Sequence, residues 1–147
     1  MKYVIDASVA LRWFIRDERD SGAEVVLASL VDEPSLFAVP ELFAFEVFAV
    51  LCRTHPRPLE AFTSAVLPLL QGGLLRYPMT DAIARRAVRF VTRGLSGYDA
   101  CYLALAEELD ARWLTFDTKA VAQAGDPDRS VDLSNGAPSE LLERARH

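Results

Sequence analysis

Residues 3–14 read YVIDASVALRWF. Tyr3, Val4 and Ile5 have the aromatic and β-branched character of a short buried strand. Asp6 ends that run. From Ser8 to Ile15 apolar residues recur at helical spacing. A strand, an acid and a helix in so short a stretch form a βα unit, and the rest of the chain repeats that pattern. The same stretch poses a chemical question. The Asp6 carboxylate either caps the following helix, a role for which Ser8 competes, or forms one corner of a metal site.

Outward from this unit the alternation continues. Helices are expected over Ala23–Val31, Leu42–Arg53 (begun by Pro40), Leu59–Leu70 (distorted near its end by Pro68) and Asp81–Thr92. Thr80 caps the last of these and Gly94 stops it. Further helices are expected from Ser96 to about Leu109 and over Thr118–Gln123. Strands are expected at Leu36–Val39, Leu74–Tyr77, Arg112–Phe116 and Ser130–Leu133. Residues 137–147 read as a terminal helix or a loose tail. Strands alternating with helices indicate an α/β fold with a mainly parallel sheet of about five strands. In such folds ligands bind beyond the carboxyl ends of the strands. Asp6 and Asp117 both follow strands and therefore share one rim.

The 147 residues, 51% of them hydrophobic, suffice for a single domain spanning 1–147 with its own core. Cys52 and Cys101 each lie in an apolar helical pattern, which predicts two buried thiols in a reducing cytoplasm rather than a disulfide framework. The start MKYVIDAS lacks the features of a secretory leader. The longest apolar run, Leu42–Cys52, is interrupted by Glu46, so no membrane span is expected. A net charge of −5 argues against holding nucleic acid mainly through a basic surface. It does not exclude a nuclease whose acids are neutralised by bound metal.

Four acids stand apart. Glu46 is the only ionisable residue between Glu41 and Arg53. On a helix its same-face neighbours Leu42, Phe43, Ala49 and Val50 are all apolar. A lone carboxylate in such surroundings costs several kcal/mol unless it is paired or binds a cation. Asp99 closes Ser96-Gly97-Tyr98-Asp99, which also reads as a capping box. Asp117 follows Trp113-Leu114-Thr115-Phe116 and could cap a short helix, with Thr115 on the same side of the strand. The remaining acids read as solvated turn and helix-end residues. Jointly the four suggest an all-oxygen site for a hard cation such as Mg²⁺ or Mn²⁺.

The fragments YVIDASVALRWF, VPELFAFEVFAVL and LSGYDACYLALAEELDARWLTFD, in this order and spacing, resemble the PIN-domain proteins, specifically the VapC-type ribonuclease toxins of toxin–antitoxin pairs. The likeness runs through about Leu133. The acidic quartet of that family falls on Asp6, Glu46, Asp99 and Asp117, and Ser8 and Thr115 match positions that line its site. The resemblance implies a PIN-like, Rossmann-like α/β/α sandwich with strand order 3-2-1-4-5. It implies Mg²⁺- or Mn²⁺-dependent hydrolysis of RNA phosphodiesters, a homodimer, and a cognate antitoxin that occludes the site.

That chemistry suits the residues. Metal-activated water needs no histidine base, and neither His55, among prolines, nor the terminal His147 is placed to act as one. Asp6, Asp99 and Asp117 are the expected metal ligands, and Glu46 is a ligand or acts through a metal-bound water. Arg85, Arg89 and Arg93 recur every four residues beside Arg86, and Arg12 and Arg16 form a shorter pair. They are candidate phosphate contacts, against the alternative of a solvated helix face. Two rival functions remain. One is a catalytically inactive PIN-like scaffold. The other is a haloacid-dehalogenase-like phosphatase, which would need a second acid where Ser8 stands.

Overall fold

The structure is a computed structural model that describes residues 2–147, the Arg16 side chain excepted. Five strands form one sheet: β1 (Tyr3–Ile5), β2 (Phe37–Pro40), β3 (Leu75–Tyr77), β4 (Arg112–Thr115) and β5 (Ser130–Asp132). All neighbouring pairs are parallel and the order is β3-β2-β1-β4-β5, as the resemblance implies. β1, β2 and most of β4 are buried on both faces. That burial is why they read as continuous apolar runs rather than alternating ones.

The connections are α1 (Ala7–Phe14), α2 (Ser21–Asp32), α3 (Leu42–Thr54), α4 (Pro58–Ala61), α5 (Leu67–Gln71), α6 (Asp81–Val91), α7 (Gly97–Glu108), α8 (Thr118–Ala124) and the terminal α9 (Ser139–Ala145). α1 packs on α2 and α3, α2 carries α9, and α6 lies along α7, which crosses β1, β2 and β4. The buried side chains form one cluster running from Tyr3 to Leu141, with Trp113, Phe37, Phe90, Leu51 and Leu103 among the largest.

Three local expectations are corrected. Pro40 is the last residue of β2, and Glu41 precedes α3. The helix expected over Leu59–Leu70 contains a π-turn at Phe62–Val66, where Leu67 N–H donates to Phe62 O. Pro68 has no N–H and its ring crowds the carbonyl four residues back, so the helix widens ahead of it. Cys52 is exposed and Cys101 only half-buried, both as free thiols. Gly94 stops α6 as expected, with φ +105°, a conformation that a side chain disfavours.

This topology selects the rim. The chain winds from β1 outward to β2 and β3, then returns across the sheet to β4. The strand order therefore reverses between β1 and β4, which opens a crevice at their carboxyl ends. α1 and α3 begin at that rim because they follow β1 and β2. α7 leads into β4 through a short turn, so it runs antiparallel to the sheet and its amino end returns to the same rim.

Candidate metal centre

Asp6 continues β1, its N–H donating to Leu114 O at 3.0 Å. Its Oδ2 accepts the Ser8 N–H at 3.1 Å and the Thr115 hydroxyl at 3.2 Å. Asp6 is thus the cap of α1, and Ser8 is a donor to that cap rather than the cap itself. Among the described residues no well-aligned hydrogen bond reaches Oδ1. Asp6 therefore caps the helix with one oxygen and leaves the other for a second role.

Ser8 and Thr115 fasten two turns together. Ser8 Oγ accepts the Phe116 N–H at 3.1 Å. Thr115 Oγ1 accepts the Asp117 N–H at 3.1 Å. The two hydroxyls lie 3.4 Å apart. The β1–α1 and β4–α8 turns are thereby cross-linked through buried or half-buried groups. Asp117 lies on the exposed lip of this link. Its Oδ1 accepts the Ala120 N–H at 2.9 Å and caps α8.

Asp99 stands at the amino end of α7. Ser96 Oγ accepts the Asp99 N–H at 3.1 Å, but the Asp99 carboxylate does not return a bond to the Ser96 backbone. The capping box is half-made, and the carboxylate is left toward the rim. Glu46 lies one turn into α3 and is half-buried, not fully immersed in apolar side chains. Phe45, Phe48 and Ala49, near it in sequence, are exposed. Its Oε1 is nevertheless buried and has no hydrogen-bond partner. The Tyr102 hydroxyl and the Trp113 indole N–H are orphaned in the same way. Tyr102 is close enough to Glu46, and Trp113 to Asp6, to lower those carboxyls' pKa values without forming a well-aligned hydrogen bond.

The electrostatics of the three inner acids agree. Burial pushes Asp6 up, against the hydrogen bonds from Ser8 and Thr115. Burial pushes Glu46 up, with the charges of Asp6 and Asp99 adding to it. Burial and the charge of Asp6 push Asp99 up to about 6, with a smaller push from Asp117. Among the described residues no lysine or arginine acts on any of the three. Asp132 supplies the contrast. It ends β5 on the same rim and the sequence reading passed over it. Its burial is outweighed by bonds from Ser134 and Thr118, which hold its carboxyl low. Asp132 is a satisfied cap, whereas Glu46 and Asp99 both lie in the field of Asp6 with burial raising all three.

Among the described residues no three acidic, histidine or cysteine side chains close tightly enough to cage an ion. The arrangement is an open one. Mg²⁺ keeps several waters and takes only one or two carboxylates from a protein, so an open set of hard oxygens with an orphaned Glu46 Oε1 fits it. His55 lies past the far end of α3, its Nδ1 accepting the Arg57 N–H, and His147 ends the chain.

The arginines divide. Arg12 places its guanidinium 4.0 Å from the centre of the Phe116 ring, beside Asp117, and reaches Glu18 at 3.7 Å. Arg85 pairs with Asp81 at 2.7 Å. Arg86 bridges Glu107 at 2.6 Å and Glu108 at 2.7 Å, and Arg89 also bonds Glu107. Arg93 donates to Ala124 O at 3.1 Å. The α6 stripe is thus engaged in pairs, most of which hold α6 onto its neighbours. The side chain of Arg16 lies outside the described residues.

The PIN domain family model matches residues 3–126. Solved structures with this fold include PAE2754 from Pyrobaculum aerophilum, at 20% identity and TM-score 0.63, covering 100% of this chain and 97% of that one. A toxin–antitoxin complex from Klebsiella pneumoniae matches at 21% identity and TM-score 0.63, over 88% of this chain and 96% of that one. VapC20 of Mycobacterium tuberculosis, a toxin that cleaves the sarcin-ricin loop, matches at 16% identity and TM-score 0.63, over 82% and 94%. At these identities the likeness is one of fold. No curated protein sequence matches. No helix among the described residues is long and apolar enough to cross a membrane.

Proposed function

The chain belongs to the PIN-domain family, and from that premise we propose that it is a divalent-cation-dependent ribonuclease, the cytoplasmic toxin of a toxin–antitoxin pair. Residues 1–147 act as one PIN domain in this reading. The observation that carries it is the uncompensated carboxylate cluster. Glu46 Oε1 is buried without a partner, burial raises Asp6, Glu46 and Asp99, the charge of Asp6 raises Glu46 and Asp99 further, and among the described residues no lysine or arginine offsets them. Such a cluster is costly unless a cation joins it.

Asp6, through the oxygen not used as a cap, Asp99 and Glu46 would hold Mg²⁺ or Mn²⁺, with Asp117 on the open side. The cation would supply an acidified water and offset negative charge on the phosphate. Ser8 and Thr115 line the site and fix the Asp6 carboxylate against rotation. Arg12, presented flat on Phe116, contacts an RNA phosphate at the lip. Arg85, Arg89 and Arg93 enter only as outer contacts, since each is already paired. The exposed Phe45 (71%) and Leu59 (69%) on α3 and α4 support a protein partner, an antitoxin or a second copy.

Induction of the protein in bacteria should arrest growth and fragment RNA. Asp6→Ala, Asp99→Ala and Glu46→Gln should do neither, and calorimetry should show Mn²⁺ binding that Asp6→Asn loses. Saturable binding without RNA cleavage, or equal toxicity of all variants, would overturn the assignment. The absence of saturable Mn²⁺ binding would favour a scaffold.

A further inference from the structure

Beside the carboxylates the rim holds a groove of about 200 Å³ that the proposed chemistry does not use. Its walls come from four elements: Leu42 of α3, Tyr77 of β3 with Met79 just beyond it, Ile83 of α6, and Tyr98 with Cys101 of α7. Tyr98 precedes Asp99, and Cys101 lies close enough to Glu46 to feel its charge. The groove and the acidic cluster are therefore adjoining parts of one surface. Tyr98 and Met79 are each 62% exposed and both border the groove, so they present an aromatic face and a thioether to what enters it.

We propose that this groove takes one unpaired nucleobase of the RNA, stacked on Tyr98 and backed by Met79, next to the phosphate that is cut. The inference rests on the ribonuclease reading and adds to it a base subsite at Tyr98. The lining decides against a phosphate. No lysine or arginine borders the groove, and Glu41, its one charged residue, would repel an anion. The same Glu41 accepts hydrogen bonds, and base edges carry N–H donors. A planar base presents a π-face to tyrosine whatever its identity, and such stacks tolerate sequence. A groove of about 200 Å³ is of the size that one ring system fills.

The test uses short single-stranded RNAs carrying 2-aminopurine at successive positions, with the wild-type chain in EDTA. One position should lose fluorescence on binding, through stacking. Tyr98→Leu should abolish that loss and Tyr98→Phe should keep it. With Mn²⁺, Tyr98→Leu should raise KM about ten-fold, the scale of one lost base–aromatic stack, with kcat little changed and Phe restoring KM. Asp6→Asn should lose cleavage and retain the quench, which separates this proposal from the catalytic one. Quenching equal in wild type and Tyr98→Leu, no quenching at all, or an unchanged KM overturns the base site even if RNA is cleaved. A groove covered by a second copy would instead appear as a lower sedimentation mass for Tyr98→Leu with quenching unaltered, and would overturn it too.

Discussion

Asp99→Asn should make the metal-free protein more stable while making it inert. Asp99 has its carboxyl pushed from an ordinary 3.8 up to about 6 by burial first and the charge of Asp6 second. A shift of about two units at 1.36 kcal/mol each is roughly 3 kcal/mol of cost to the ionised folded state. Asp99 is only partly buried, and solvent screening reduces this to about 1.5 kcal/mol. The sign follows from the raised folded pKa. Stability associated with this group is fully present below 3.8 and is lost as pH rises through about 6. At pH 7 the wild type bears the whole cost and the neutral amide does not. The helix cap survives, because Ser96 receives the backbone N–H of residue 99 and not its side chain. In EDTA at pH 7 the variant should melt about 3–6 °C higher, given 2–4 °C per kcal/mol for a chain of this size. The gain should shrink as pH approaches 4. Added Mn²⁺ should raise the wild-type melting temperature and leave the variant nearly unmoved. A variant that melts at or below the wild type at pH 7, or whose gain persists at pH 4, would refute the claim that Asp99 is held against its own charge.

Two other substitutions separate the site from the frame. Thr115→Val removes a buried hydroxyl that donates to Asp6 and accepts from the Asp117 N–H; denaturant titration should show a loss of about 1–3 kcal/mol, and RNA cleavage should fall at least ten-fold because Asp6 loses its tether. Glu107→Gln removes the negative charge shared by Arg86 and Arg89; the melting temperature should fall while kcat and KM for RNA stay as in the wild type, whereas a lost cleavage rate would return the α6 stripe to the catalytic surface.

The alternation of strand and helix was legible because a buried parallel strand leaves a short β-branched run that a helix of the same chain cannot share. Tyr3–Ile5, Phe37–Pro40 and Arg112–Thr115 all announce themselves in this way. Asp6 and Asp117 were legible as rim residues because each directly follows a strand. Three things were not legible. The π-turn at Phe62–Val66 depends on how a helix relieves Pro68, which periodicity does not register. The burial of Glu46 was not legible: of its same-face neighbours Leu42, Phe43, Ala49 and Val50, only Phe43 is fully buried and Ala49 is exposed. The arginine stripe of α6 was visible as a stripe, but apart from Asp81, the partner of Arg85, its acidic partners Glu107 and Glu108 lie on α7, beyond any local window.

The sequence by itself therefore determined the α/β class and the order of elements and singled out four candidate acids, since these depend on local spacing and residue chemistry. Tertiary structure alone decided what the acids do to one another. The reversal of strand order between β1 and β4, with α3 and α7 beginning at the same rim, brings residues as distant as Asp6 and Asp117 into one electrostatic neighbourhood. Only there could the first question be answered. Asp6 is both cap and candidate ligand, because Ser8 and Thr115 take one of its oxygens and among the described residues no well-aligned hydrogen bond reaches the other.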